Sequence, residues 1–117
     1  MKKYDFFIDG KTINVVLTRG TYLTGRLAII LCVENEYGGL TSKYQVSYNI
    51  PNKMKDKNKT FLDIYNYPQI REFFEINKIG HYTGKYCSGI NGKVYPEFEV
   101  DLSKFVLTPG FREGEYN

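Results

Sequence analysis

The longest apolar run in the chain is Leu27-Ala28-Ile29-Ile30-Leu31-Cys32-Val33, entered through Gly25-Arg26 and closed by the turn-forming string Glu34-Asn35-Glu36-Tyr37-Gly38-Gly39. An unbroken, β-branched run without proline predicts a central strand over residues 27–33 that is buried on both faces. Upstream, Tyr4, Phe6 and Ile8 alternate with polar positions. Beyond Asp9-Gly10, Ile13, Val15 and Leu17 continue the period of two. Asp-Gly between two such arms predicts a two-residue hairpin turn, which needs φ > 0 at both of its central residues. Residues 18–24 read as a polar link. Downstream of the central run, Tyr44, Val46, Tyr48 and Ile50 alternate with Lys43, Gln45, Ser47 and Asn49. This is the pattern of a half-buried antiparallel strand, and Pro51 ends it because it has no N–H for a ladder.

A polar loop over residues 52–59 follows, carrying Lys53, Lys55, Lys57 and Lys59. Phe61, Leu62 and Ile64 return to the core. Asn66-Tyr67-Pro68 then opens the one helical pattern, over residues 68–78, with Ile70, Phe73, Phe74 and Asn77 on one stripe and Gly80 as its expected stop. Residues 81–88 read as a glycine-rich connection. Asn91-Gly92 predicts a second two-residue turn, leading into a strand with Val94, Phe98 and Val100 on one face and Tyr95, Glu97, Glu99 and Asp101 on the other. Pro96 within it predicts an edge position or a bulge. Residues 103–107 read as a half-strand or a turn of helix. The expected architecture is α+β: an antiparallel, hairpin-rich sheet of five or six strands with one helix packed on one face. Residues 1–107 form a single domain and residues 108–117 a loose tail.

Composition leaves this picture intact. The chain has 117 residues, 42% hydrophobic and 25% charged, which suits one globular domain. The net charge of +3 is well below that of a dedicated nucleic-acid binder. No apolar stretch approaches the roughly 20 residues of a membrane span, and Met1-Lys2-Lys3-Tyr4-Asp5 meets an acid before any apolar segment, so neither a membrane anchor nor a signal peptide is expected. A cytoplasmic protein with Cys32 and Cys87 as free thiols follows.

Eleven Tyr and eight Phe are more aromatics than a core of this size needs, and surplus Tyr is typical of binding faces. Candidate chemistry is sparse. His81 is the only histidine, and it cannot assemble a zinc site with two distant cysteines. A Cys87–His81 pair is the one conceivable nucleophile, without an evident oxyanion hole. The glycines match no phosphate-binding loop. Neither a catalytic residue, a cofactor nor a metal is expected. Two surfaces remain. Glu97, Glu99 and Asp101, with Tyr95 and an extension through Glu34 and Glu36, form an acidic stripe suited to a basic partner. Lys53, Lys55, Lys57, Lys59 and Arg26 form a basic set suited to phosphates.

The string Tyr22, Gly25-Arg26-Leu27-Ala28-Ile29 and Asn49-Ile50-Pro51 resembles the family called domain of unknown function 4313. So do Asn66-x-Pro68, Ile79-Gly80, Thr83-Gly84, Ser88-Gly89 and Tyr95-Pro96, spanning about residues 13–105 together. The chain departs from the pattern at Tyr65, where a first Asn of an Asn-Asn pair is expected, and in a longer stretch before Tyr95-Pro96. The resemblance implies a small cytoplasmic domain carried by conjugative elements and phages, with no known activity, cofactor or catalytic residue. Small proteins of such elements are often inhibitors of host defence. The expectation is therefore a non-enzymatic protein-binding module, an inhibitor of the anti-restriction or anti-CRISPR type. Its partner is a host protein such as a nucleic-acid-binding defence effector, and the chain itself is a monomer or a homodimer. The alternative is a single-stranded nucleic-acid or nucleotide binder using the lysine loop and tyrosines.

Overall fold

Asp9 and Gly10 both take positive φ, 52° and 77°, and this turn joins β1 (Tyr4–Ile8) to β2 (Lys11–Thr21) with Ile8 opposite Lys11. The hairpin is the one the Asp-Gly pair predicts. The computed structural model describes residues 1–51 and 56–110. The first part of the stretch expected as a polar link, residues 18–21, belongs instead to β2, so that Gly20 faces Ala28 of β3 (Leu27–Glu34), and only residues 22–24 remain a link. As predicted, β3 is central and covered on both sides, with Ala28, Ile29, Leu31 and Cys32 fully buried between β2 and β4 (Leu40–Gln45).

A single sheet of five or six strands is not what forms. β1-β2-β3-β4, with β9 (Val106–Leu107) running parallel to β2, make one five-stranded sheet. β5 (Ser47–Tyr48), β6 (Lys59–Leu62), β8 (Val94–Val100) and β7 (Gly80–Ser88) make a second, four-stranded one. The reason lies in the strand expected over residues 41–50. Its register against β3 slips between Leu31 and Cys32, a bulge at Lys43, and bulges bend strands. The chain then breaks at Val46, whose N–H donates to Ile29 O of the first sheet and whose carbonyl accepts from Asp63 N beside the second. One bent strand thus serves both layers. After the bend Ser47 turns inward, where its hydroxyl accepts from Ile29 N, against the alternation read from the sequence.

The glycine-rich connection is also a strand. β7 holds nine residues, and the excess length of Thr83, Gly84 and Lys85 is absorbed as a bulge opposite Glu97, with Gly84 at φ 92°. β8 consequently lies between β6 and β7 and is not an edge; Pro96 sits beside the bulge instead. The turn before β8 is a three-residue loop rather than the expected two-residue one: Gly89 N donates to Lys93 O and only Gly92 has positive φ.

The helix α1 (Ile70–Ile76) is shorter than its pattern. Seven residues do not hold a helix in water by themselves. Two adjacent phenylalanines anchor it. Phe73 packs edge-on against Phe6 at 4.9 Å on the first sheet, and Phe74 against Phe98 at 6.0 Å on the second. Each buried phenylalanine contributes about 2–3 kcal/mol. The left-handed stop residue is Lys78 (φ 54°), two residues before the expected Gly80: Ile79 N reaches back to Phe74 O and Lys78 N to Glu75 O. That is the double bond of a left-handed helix stop, with Ile79 buried beside Phe74. A 3-10 turn (Leu102–Lys104) precedes β9. Thr108, expected in the loose tail, is buried and bonds Thr18 Oγ1 at 2.9 Å; residues 111–117 of that tail lie outside the described residues.

Candidate functional site

The acidic stripe is dispersed by the fold. With β8 central, its residues are built into the sheet. Glu97 is 8% exposed and accepts from Thr83 Oγ1 at 2.9 Å, the bulge on β7 having brought that hydroxyl over it. Tyr95 is 2% exposed, stacked on Tyr48 at 3.9 Å and bonded through its hydroxyl by Asn91 Nδ2. Glu99 is half-exposed in a cross-strand row, opposite Lys59 on β6 and His81 on β7. Asp101 caps the 3-10 turn, and the hydrogen bonds from Ser103 hold its carboxyl below the usual range. Glu34 and Glu36 are at the far end of β3, about 25 Å along the strand from Arg26. There Glu34 bonds Lys3 Nζ at 2.6 Å, which holds its carboxyl low.

The basic set does not present one face either. Lys53 and Lys55 lie outside the described residues. Lys57 is exposed. Lys59 has Asp56 at 3.6 Å and stands opposite Glu99. Arg26, at the entrance of the central strand, is 1% exposed, its guanidinium 5.0 Å over the Phe61 ring. Burial lowers its pKa, and the nearby Glu97 carboxylate opposes that shift. A cation shielded in this way is closed to a phosphate.

Cys87 and His81 share β7 and its outer face but form no dyad. Their partners on β8, Tyr95 and Glu99, are four residues apart, which separates the two by about 13 Å. His81, Glu99 and Asp101 line a cleft of about 470 Å3 beyond the end of α1, together with Glu75 and Lys78. Among the described residues no three His, Cys, Asp or Glu side chains are grouped to hold a metal. No helix among them is long and apolar enough to cross a membrane.

A different place combines exposure with shape. β1 is an edge strand, and a groove of about 490 Å3 runs between its free side and α1. Phe6 and Phe73 form its base, and Asp5, Phe7, Glu72 and Ile76 stand along it. A second hollow continues it past Gln69 toward Asp9 and Pro68. Phe7 is 59% exposed and Ile76 68%. The residues lining both hollows include the carboxylates Asp5, Asp9 and Glu72 and no Lys or Arg, in a chain of net charge +3. Sequence reasoning passed over Phe7 and Ile76 because each falls off the buried stripe of its element. Only the docking of α1 beside β1 brings the two exposed side chains together along one groove.

No family model, no curated protein and no solved structure matches this chain.

Proposed function

We propose that the chain is a protein-binding module, with no catalytic role of its own, that docks a positively charged partner in the groove between β1 and α1. The observation that carries this reading is the exposure of Phe7 and Ile76 along a groove whose charged lining is wholly acidic. Exposed apolar anchors supply contact energy, and carboxylates around them select a basic partner and repel acidic ones. A nucleic-acid-handling host enzyme has a basic surface of that kind. The resemblance to domain of unknown function 4313 supports the wider role, an inhibitor of host defence carried by a mobile element.

A display library of random peptides, selected on the immobilised protein, tests the docking reading. Enriched peptides should be net basic with apolar residues. They should bind a Phe7→Ser, Ile76→Ser double variant at least about tenfold more weakly, a loss of roughly 1.4 kcal/mol. Both side chains are exposed, so the double variant keeps its fold. Enriched peptides that bind the variant as tightly as the parent overturn the proposal.

A further inference from the structure

Resting on that docking reading, we infer that the groove takes its partner as an extended, lysine- or arginine-bearing segment added to β1 as a further strand. The hydrogen-bond pattern of β1 carries the inference. A two-residue turn makes Ile8 and Lys11 a hydrogen-bonded pair, so Ile8, Phe6 and Tyr4 turn their main-chain groups toward β2. Asp5 and Phe7 then direct their N–H and C=O groups away from β2, along the groove. Phe7 shows this directly, because its carbonyl accepts from Gln69 Nε2 at 2.7 Å. The side-chain amide of Gln69 thus stands where the N–H of an added strand belongs.

Gln69 is itself only half satisfied. Its Oε1 is buried without a hydrogen-bond partner. An incoming strand that donates to Phe7 O exchanges one hydrogen bond for another and frees that oxygen to find a donor. The amide is therefore a displaceable plug on the edge, and its removal eases binding.

The side walls fit the same occupant. An extended segment presents alternate side chains to opposite faces. One set meets Phe73 and Ile76 of α1, and charged neighbours meet Asp5, Glu72 and Asp9. Main-chain pairing supplies affinity in such strand addition, and the pockets for alternate side chains supply selectivity. One outer edge of the second sheet suits it less well. β7 is interrupted by the Gly84 bulge and carries Lys85 beside it, both of which discourage pairing.

The test uses a synthetic peptide of alternating valine and lysine that matches the five residues of β1, followed by amide NMR and hydrogen exchange on the full chain. The expected result is that the Asp5 and Phe7 amides shift and gain protection as peptide is added. Ile76→Asp should weaken this binding at least tenfold, Glu72→Gln severalfold, and Gln69→Ala should strengthen it severalfold. Shifts confined to α1, with Asp5 and Phe7 unprotected, overturn strand addition and leave the groove as the docking face. No shift at up to about 1 mM peptide also overturns it, while the library selection still decides the docking reading. A glutamate-for-lysine peptide that binds equally well removes the basic character of the partner.

Discussion

The ring of Tyr48 lies flat on that of Tyr95, centroids 3.9 Å apart and planes within 6°, and the Cα of Gly89 closes one side of the stack. A Cβ at residue 89 would meet Tyr48 Cε2 at 2.8 Å, and Tyr95 Cε2 and Asn91 Oδ1 at 3.0 Å. Gly89→Ala should therefore destabilise the protein by about 1–3 kcal/mol through overpacking. A lowered denaturant midpoint together with a changed near-ultraviolet tyrosine signal is the expected readout. An unchanged midpoint means the rings separate freely.

Tyr22 makes stability fall in alkali. Burial pushes its hydroxyl up to about 12, with the hydrogen bond it shares with the Ser47 hydroxyl and the one Gln45 donates opposing and Asp63 adding to the rise. An unfolded tyrosine ionises near 10, so the folded state favours the neutral phenol. This contribution is complete below about pH 10 and is lost as pH rises from 10 toward 12, a loss of about 2–3 kcal/mol. Burial raises Tyr67 too, in the same direction. Urea midpoints from about pH 8 upward should fall above pH 10. Tyr22→Phe should flatten the fall while lowering stability near neutrality by about 1 kcal/mol, since Gln45 loses its acceptor.

Lys78 is an exposed side chain at φ 54°. A left-handed backbone costs a non-glycine residue about 1–2 kcal/mol. Lys78→Gly should raise stability by about 1 kcal/mol even though glycine is more flexible when unfolded. Lys78→Ala should not. Equal midpoints for the two variants would mean the helix stop is relaxed in solution.

Arg26 and Lys57 should behave oppositely. Arg26→Ala removes a buried cation that lies over Phe61 near Glu97, and should cost about 3–5 kcal/mol. Lys57→Ala, at an exposed position, should stay within about 0.5 kcal/mol. Arg26→Lys keeps the charge but not the planar group over the ring, and should recover only part of the loss. Thermal unfolding of the three variants side by side decides this.

Local chemistry made parts of this fold legible. Asp9-Gly10 located the first hairpin to the residue, because few other dipeptides accept positive φ twice. The run through β3 was readable because both faces are covered. β7 was hidden, since a mostly exposed edge strand has no apolar alternation and its Gly84 marks a bulge inside a strand as readily as a loop. The two-sheet arrangement was hidden because a bulge at Lys43 leaves no compositional trace. Arg26 joined the basic set on its charge alone, and only tertiary packing shows Phe61 beneath it. The groove was illegible for the same reason: residues about 65 positions apart form it, and Phe7 and Ile76 are isolated hydrophobics until the helix is docked on β1.

Val46 is tied by its N–H to one sheet and by its carbonyl to a residue beside the other. A gene split at Gly38-Gly39 therefore does not yield two domains. The first fragment ends in β3 with an open flank, and the second begins with the strand that closes it. Each half is the missing template for the other, so the two should be inert when made apart and reassemble when brought together. That turn is a natural cut point for a fragment-complementation reporter.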